Sequence, residues 1–248
     1  EVFAIGDAPD GLNINDGVGA THTENLARAV REHRADVGIA LDGDGDRLVM
    51  ADASGRTYDG DQLLYVIATD RARHGGVAGV VGTLMSNLAL ERALAAQGIA
   101  FARSKVGDRY VLEMLHEKGW LYGGENSGHL LCLDKHTTGD GIVSALQVLK
   151  AMQEQDRTLA ELAGAFALFP QVLLNVRVPR GFDWRASPAL VQACAAAEAR
   201  LGSRGRLLLR PSGTEPVLRV MVEGEDAADV DAIAADLARV VEQSAAAA

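Results

Sequence analysis

The sequence predicts an α/β protein: a domain of βα repeats with a mixed sheet, followed by a smaller C-terminal α+β domain with an antiparallel sheet. Two observations predict it. Short β-rich runs alternate with amphipathic helical spacing through most of the 248 residues. After Phe169-Pro170 the order changes to strand, helix, strand, strand, helix. The elements follow in order. Residues 1–6 read as a strand with no lead-in, so the chain is expected to be a piece of a longer protein. Residues 37–41 and 48–51 read as strands around a Gly/Asp turn. Residues 60–73 have helical spacing at Leu63, Leu64 and Ile67 and stop at Gly75-Gly76. A strand at 77–82, a helix at 87–97 closed by Gly98, a strand at 99–103 and a helix at 108–118 stopped by Gly119 continue the pattern. Strands at 120–122 and 130–133 bracket a glycine-rich loop. A helix at 140–152 carries a stripe of Ile142, Val143, Leu146 and Leu149. Beyond the change of pattern come a strand at 172–178, an alanine-rich helix at 187–201, strands at 207–209 and 217–222 and a helix at 226–242, with a frayed tail at 244–248. The division expected is 1–53, 54–167 and 168–248.

Composition narrows the function. Lys+Arg 24 against Asp+Glu 34 gives a net charge of −10. A general nucleic-acid binder needs a basic face, so nucleic acid is excluded as a partner. No run approaches the roughly 20 apolar residues of a membrane span, and no basic-then-apolar leader opens the chain. Cys132 and Cys194 form neither a CxxC pair nor a ligand cluster. They read as free, buried thiols in a reducing cytoplasm.

Three loops carry the chemistry. Asp42-Gly43-Asp44-Gly45-Asp46-Arg47 follows an apolar strand. The glycines allow Asp42, Asp44 and Asp46 to aim at one point. Their mutual repulsion calls for a hard divalent cation with oxygen ligands, Mg²⁺ being the natural choice. Arg47 places a guanidinium where a phosphate could share both charges. A solvated acidic turn is the competing reading. An EF-hand fails, because its sixth and twelfth positions would be Arg47 and Ala53 rather than Gly and Glu.

Gly123-Gly124-Glu125-Asn126-Ser127-Gly128-His129 offers an acid, an amide, a hydroxyl and an imidazole between two strands. Glu125 and Ser127 suit vicinal sugar hydroxyls. His129 suits proton transfer or phosphate contact, and a plain polar turn is the alternative. Arg210-Pro211-Ser212-Gly213-Thr214-Glu215-Pro216 can gather backbone N–H groups, two hydroxyls and a guanidinium around one anion. It is no Walker loop, having neither GK[ST] nor a following helix. Arg219 on the next strand either assists or faces solvent. Lys105, Asp108 and Arg109 stand at a helix start, where anion binding and simple capping by Asp108 compete.

Together these segments resemble the α-D-phosphohexomutase superfamily, most closely its bacterial glucosamine-phosphate branch. DGDGDR at 42–47, GGENSGH at 123–129 and RPSGTEP at 210–216 carry the resemblance. PDGLNIN at 9–15, VGDRY at 106–110 and TGDG at 138–141 support it, all in the superfamily's order. With its Asn, ENSGH resembles the form of the glucosamine branch; the mannose/glucose branch typically has Met there.

The resemblance implies the C-terminal part of a four-domain enzyme: the end of domain two with a metal loop, domain three with a sugar loop and domain four with a phosphate loop. It implies a reversible phosphoryl shift between positions 6 and 1 of glucosamine phosphate, through a phosphoserine and a 1,6-bisphosphate. By the same token Mg²⁺ sits on Asp42, Asp44 and Asp46, and Arg47 stabilises the moving phosphoryl group. Glu125, Asn126 and Ser127 take the sugar. Arg210, Ser212, Gly213, Thr214 and Arg219 take the non-reacting phosphate, with Asp108 and Arg109 also on the substrate. His129 and Lys105 serve proton transfer or phosphate contact. The superfamily's catalytic serine lies in a Ser-His-Asn type loop of the first domain. No such segment occurs here, so this piece alone is expected to be inactive without the N-terminal domains. A sister specificity for mannose or glucose phosphates, or a non-catalytic sugar-phosphate-binding module, stays open, as does an oligomer.

Overall fold

The computed structural model describes residues 1–212 and 215–246. The chain divides into two compact units, Glu1–Ser86 with Leu90–Ala167, and Asn87–Ala89 with Leu168–Ala248.

In the first unit α1 (Thr23–His33) precedes β1 (Val37–Leu41) and β2 (Leu48–Asp52), and β3 (Thr57–Tyr58) extends this small sheet in the order β1-β2-β3. β1 and β2 pair antiparallel, with Val37 opposite Asp52 and Leu41 opposite Leu48. Residues 42–47 are therefore the hairpin loop. Leu26 and Val30, four apart on α1, pack on Ala40 and Ala51.

α2 (Gly60–Gly75) starts at Asp59, whose carboxylate accepts the Gln62 N–H at 3.1 Å. Leu63, Leu64, Val66, Ile67 and Ala68 are all buried. Burial at these successive positions, with Asp61, Gln62 and Asp70 buried beside them, places α2 in the middle of a core. Around it run β4 (Gly79–Thr83), α3 (Leu88–Ala96), β5 (Ala100–Ser104), α4 (Asp108–Lys118), β6 (Tyr122–Gly124), β7 (Leu130–Cys132), α5 (Gly141–Gln155) and α6 (Leu159–Ala163). The sheet order is β5-β4-β6-β7; β4 runs parallel to β5 and β6, and β7 antiparallel to β6. Every residue of β4 is buried, as expected of a parallel strand covered on both faces. The sheet is mixed, as the sequence predicts.

The second unit holds β8 (Gln171–Arg177), α7 (Pro188–Leu201), β9 (Gly205–Pro211), β10 (Val217–Gly224) and α8 (Ala227–Ala246). Its sheet, β8-β10-β9, is antiparallel throughout. Alternate residues Leu218, Val220 and Val222 of β10 share a core with Leu190 of α7 and with Val230, Ile233, Leu237 and Val241 of α8.

Four expectations are corrected. Residues 1–6 form no strand; Val2 is 92% exposed, because alternation without a partner ladder does not hold a strand. The α5 stripe is displaced: Ile142 and Leu146 are exposed, while Gly141, Ser144, Ala145, Val148 and Ala151 are buried. The buried face of α5 is built mostly of small residues around Val148, with Leu149 and Met152 packed at the margin of the core. Residues 244–246 continue α8 rather than fraying, as alanine favours. The strand expected at 120–122 lies at Tyr122–Gly124. Among the described residues, α1, β3 and α6 match no element that the periodicity of the sequence predicts. Among the described residues no helix is long and apolar enough to cross a membrane.

Candidate active site

The hairpin loop of the first unit is shaped by its own backbone. Gly45 N–H donates to Asp42 O at 3.1 Å with Gly45 at φ +75°, and Arg47 N–H donates to the Asp42 carboxylate at 3.1 Å. The loop after β6 closes as tightly: Gly128 N–H donates to Glu125 O at 3.0 Å, and Glu125 N–H to His129 O at 2.9 Å. Gly128 sits at φ +100°, and a Cβ there would run into the Leu48 backbone. Glycine is therefore required twice over at this position.

Three backbone bonds tie these loops to their surroundings. Leu48 N–H donates to Gly128 O at 3.0 Å, Gly60 N–H to Asn126 O at 3.1 Å, and Gly141 N–H to Gly45 O at 2.9 Å. Arg47 and His129 also form an isolated antiparallel bridge. The result is a cleft of about 450 Å³ lined by Asp46, Arg47, Val106, Gly107, Asp108, Glu125, Asn126, Ser127 and His129. The Glu125 carboxylate is anchored by the Gly107 N–H at 3.0 Å.

Carboxylate oxygens of Asp42, Asp44 and Asp46 lie within 4.8 Å of one another. Arg47 Nε stands 3.5 Å from Asp42 Oδ2 and 4.0 Å from Asp46 Oδ1, and His129 Nε2 stands 3.6 Å from Asp46 Oδ2. Asp46 Oδ1 is buried without a hydrogen bond. Burial, then the neighbouring Asp42, pushes the Asp46 carboxyl above its ordinary value, and His129 and Arg47 oppose the shift. Three oxygen donors with a buried oxygen lacking a donor fit a small hard cation. A second group, Asp70, His74 and Glu154, is equally close-set. There, however, Asp70 is bonded by Arg71 and Gln155, and Glu154 by Lys150, so its charges are already balanced.

Of the first unit's expected site residues, Asp42, Asp44, Lys105 and Arg109 stand outside the cleft lining, the first two with Asp46 in the acidic loop and the last two on or beside α4. Lys105 Nζ lies 5.5 Å from the Tyr110 ring centroid. Arg109 pairs with Glu113 at 2.7 Å, with its side chain 81% exposed. A helix start brings Asp108 to the cleft and turns Arg109, one residue on, along the outer face of α4.

In the second unit Arg210 on β9 lies directly opposite Arg219 on β10, so the two guanidinium-bearing side chains share one face of the sheet. Arg219 Nε is buried without a hydrogen bond, and its Nη2 is 3.6 Å from Glu215 Oε2. Ser212 N–H donates to Val217 O at 3.0 Å, and its hydroxyl accepts the Glu215 N–H at 3.2 Å. Gly213 and Thr214, expected in the same cradle, lie outside the described residues.

Residues 59–169 match the phosphoglucomutase/phosphomannomutase α/β/α domain III, and residues 173–240 the C-terminal domain of the same family. The chain belongs to the phosphoglucomutase/phosphomannomutase family. It is 62% identical over 242 residues to a phosphoglucosamine mutase of Azoarcus sp. strain BH72, covering 98% of this chain and 54% of that protein. To the phosphoglucosamine mutase of Dechloromonas aromatica strain RCB it is 63% identical over 245 residues, covering 99% of this chain and 54% of that protein. The chain thus spans about half the length of the curated relatives it matches. Among solved structures, the N-acetylphosphoglucosamine mutase of Aspergillus fumigatus in complex with GlcNAc-6P and magnesium shares the fold. Its TM-score is 0.73 at 20% identity, over 93% of this chain and 54% of that one. A phosphoglucomutase/phosphomannomutase family protein from Burkholderia thailandensis gives 0.72 at 21%, over 91% and 51%.

Within this phosphohexomutase chain the sequence reading missed the residues that hold the loops rather than line them. Gly107 anchors Glu125 through its N–H; Gly60 and Gly141 bond the two loops from behind. The TGDG and VGDRY motifs marked two of these places without showing what they touch.

Proposed function

We propose that the protein containing this chain is a phosphoglucosamine mutase, interconverting glucosamine 6-phosphate and glucosamine 1-phosphate through a phosphoserine and a 1,6-bisphosphate. One observation carries the reading: a single cleft is lined both by the end of the acidic loop, Asp46 and Arg47, and by the sugar-type loop, Glu125, Asn126, Ser127 and His129. Relatives more than 60% identical bear that name. The domain reading assigns 1–53 to the end of domain two, 54–167 to domain three and 168–248 to domain four.

The residues divide the work. Asp42, Asp44 and Asp46 would hold Mg²⁺, which supplies charge neutralisation and Lewis acidity at phosphoryl oxygens when bound. Arg47, half-exposed beside them, stabilises charge on a transferring phosphoryl group. Glu125, fixed by Gly107 N–H, accepts from sugar hydroxyls, and Ser127 and Asn126 complete the orientation. His129 holds or passes a proton at Nε2, the nitrogen facing Asp46. Arg210, Ser212 and Arg219, with Gly213 and Thr214, grip the phosphate that does not react, so remote binding energy orients the reacting end. Asp108, which lines the cleft, and Arg109 are assigned to the substrate, and Lys105 to proton transfer or phosphate contact. The nucleophilic serine lies outside this chain, in N-terminal domains that are its partners, and the chain alone does not turn over. The reaction belongs in the cytoplasm.

The test is kcat/KM of the longer protein, with Mg²⁺, on glucosamine, glucose and mannose phosphates. A preference for glucosamine phosphate is expected. A preference for either other sugar moves the assignment to a sister mutase, and no turnover of any leaves a sugar-phosphate-binding module.

A further inference from the structure

Gly139 is buried at the turn before α5, and its backbone is not in the left-handed region that would favour glycine. Conformation therefore does not demand a glycine there; space does. A Cβ on Gly139 would overlap the His129 ring at Nε2 and Cε1 and approach Cδ2 to 2.8 Å. Nε2 is the atom that faces Asp46, at 3.6 Å. His129 is only 5% exposed, so the ring has little room to move aside. Two residues on, Gly141 donates its N–H to Gly45 O at 2.9 Å, and a Cβ there would meet that same oxygen at 2.9 Å and Leu41 Cδ2 at 2.6 Å. One short turn thus bears on both partners: the acidic loop through Gly45, the imidazole through Gly139.

We propose that Gly139 is a positioning residue of the candidate metal site, the missing side chain giving the His129 ring its seat and so setting the spacing between the imidazole and the Asp46 carboxylate. The inference rests on the functional reading above, since it presumes that the acidic loop takes a divalent cation. Groups that orient a ligating carboxylate matter nearly as much as the ligands themselves.

A double-mutant cycle on this 248-residue chain tests it, reading melting temperature and Mn²⁺ affinity for wild type, Gly139→Ala, His129→Ala and the double variant. Gly139→Ala is expected to lower Tm and weaken Mn²⁺ binding by about 10-fold or more, the usual scale for an outer-shell change. In the His129→Ala background the same substitution is expected to have no further effect on affinity and to leave Tm unchanged or slightly raised, because alanine restricts the unfolded chain. Gly75→Ala, at a site where an added Cβ meets nothing within 4 Å, is the neutral control. Equal Mn²⁺ affinity in wild type and Gly139→Ala overturns the positioning role, even if Tm falls. Additive effects of the two substitutions overturn it too, since the ring would then not be what the methyl displaces. A wild-type chain that takes up no Mn²⁺ instead overturns the metal reading itself, and the inference with it. Should Gly139→Ala fail to fold, recovery of the fold in the double variant supports the seat and continued unfolding contradicts it.

Discussion

Asp46 shows how a single side chain can carry two opposed requirements. Its carboxylate is close to two others and part-buried, which disfavours charge, yet Arg47 and His129 face it. Among the described residues, this trio is the candidate cation group whose carboxylates are not already held by Lys150, Arg71 and Gln155. Glu125 is the corresponding residue for the sugar. Glu125→Gln in the longer protein preserves shape but weakens a charged hydrogen bond, a loss of about 1.5–3 kcal/mol. The expected outcome is a ten- to hundred-fold drop in kcat/KM (about 1.4 kcal/mol per factor of ten) with Tm unchanged, checked by steady-state kinetics. Cys132 makes a separate residue-level prediction. Burial pushes its thiol up to about 12, so it should resist iodoacetamide at neutral pH and react only on unfolding, as mass spectrometry would show.

At the scale of elements, the turn joining β2 to β3 is organised around Asp52. Burial alone would raise its pKa. Hydrogen bonds from Ser54 Oγ at 2.6 Å, Tyr58 Oη at 2.8 Å, and the Ser54 and Arg56 N–H groups outweigh that, and the carboxyl lies below its ordinary value. A depressed folded pKa contributes stability that is complete above the unfolded value near 3.8 and is lost as pH falls through the folded one. Tyr58→Phe removes one donor and should move acid unfolding to higher pH, followed by circular dichroism. Elements also show what could be read in advance. α4 was legible over Asp108–Lys118 because Asp108 opens it and Gly119, at φ +64°, ends it. α6 carries the Thr158/Glu161 capping box, but its five residues are too few for helical periodicity to show. α1 carries Leu26 and Val30 at helical spacing, but its polar remainder hid the signal. The outward direction of Lys105 and Arg109, and the clash that makes Gly139 a glycine, depend on which surfaces meet, and sequence spacing does not contain that.

Across the whole chain, each of the two units buries a core of its own, and the acidic and sugar-type loops belong to the first. Leu64, fully buried on α2, sits in the core of the first unit. Leu64→Ala should destabilise the first unit by about 2–5 kcal/mol, seen as faster hydrogen exchange in α2 and β4. The α/β architecture and the change of pattern near Phe169-Pro170 were visible in periodicity because each unit alternates strands and helices. The convergence of residues 42–47 with 125–129 was visible only as motif order, since nothing local states that Leu48 and Gly128 share a hydrogen bond. The most direct measurement of the central claim is calorimetric titration of this chain with Mg²⁺, wild type against Asp44→Asn. One bound ion per chain in the wild type, lost in the variant with its fold intact, is the predicted result; equal binding by both, or none by either, would contradict it.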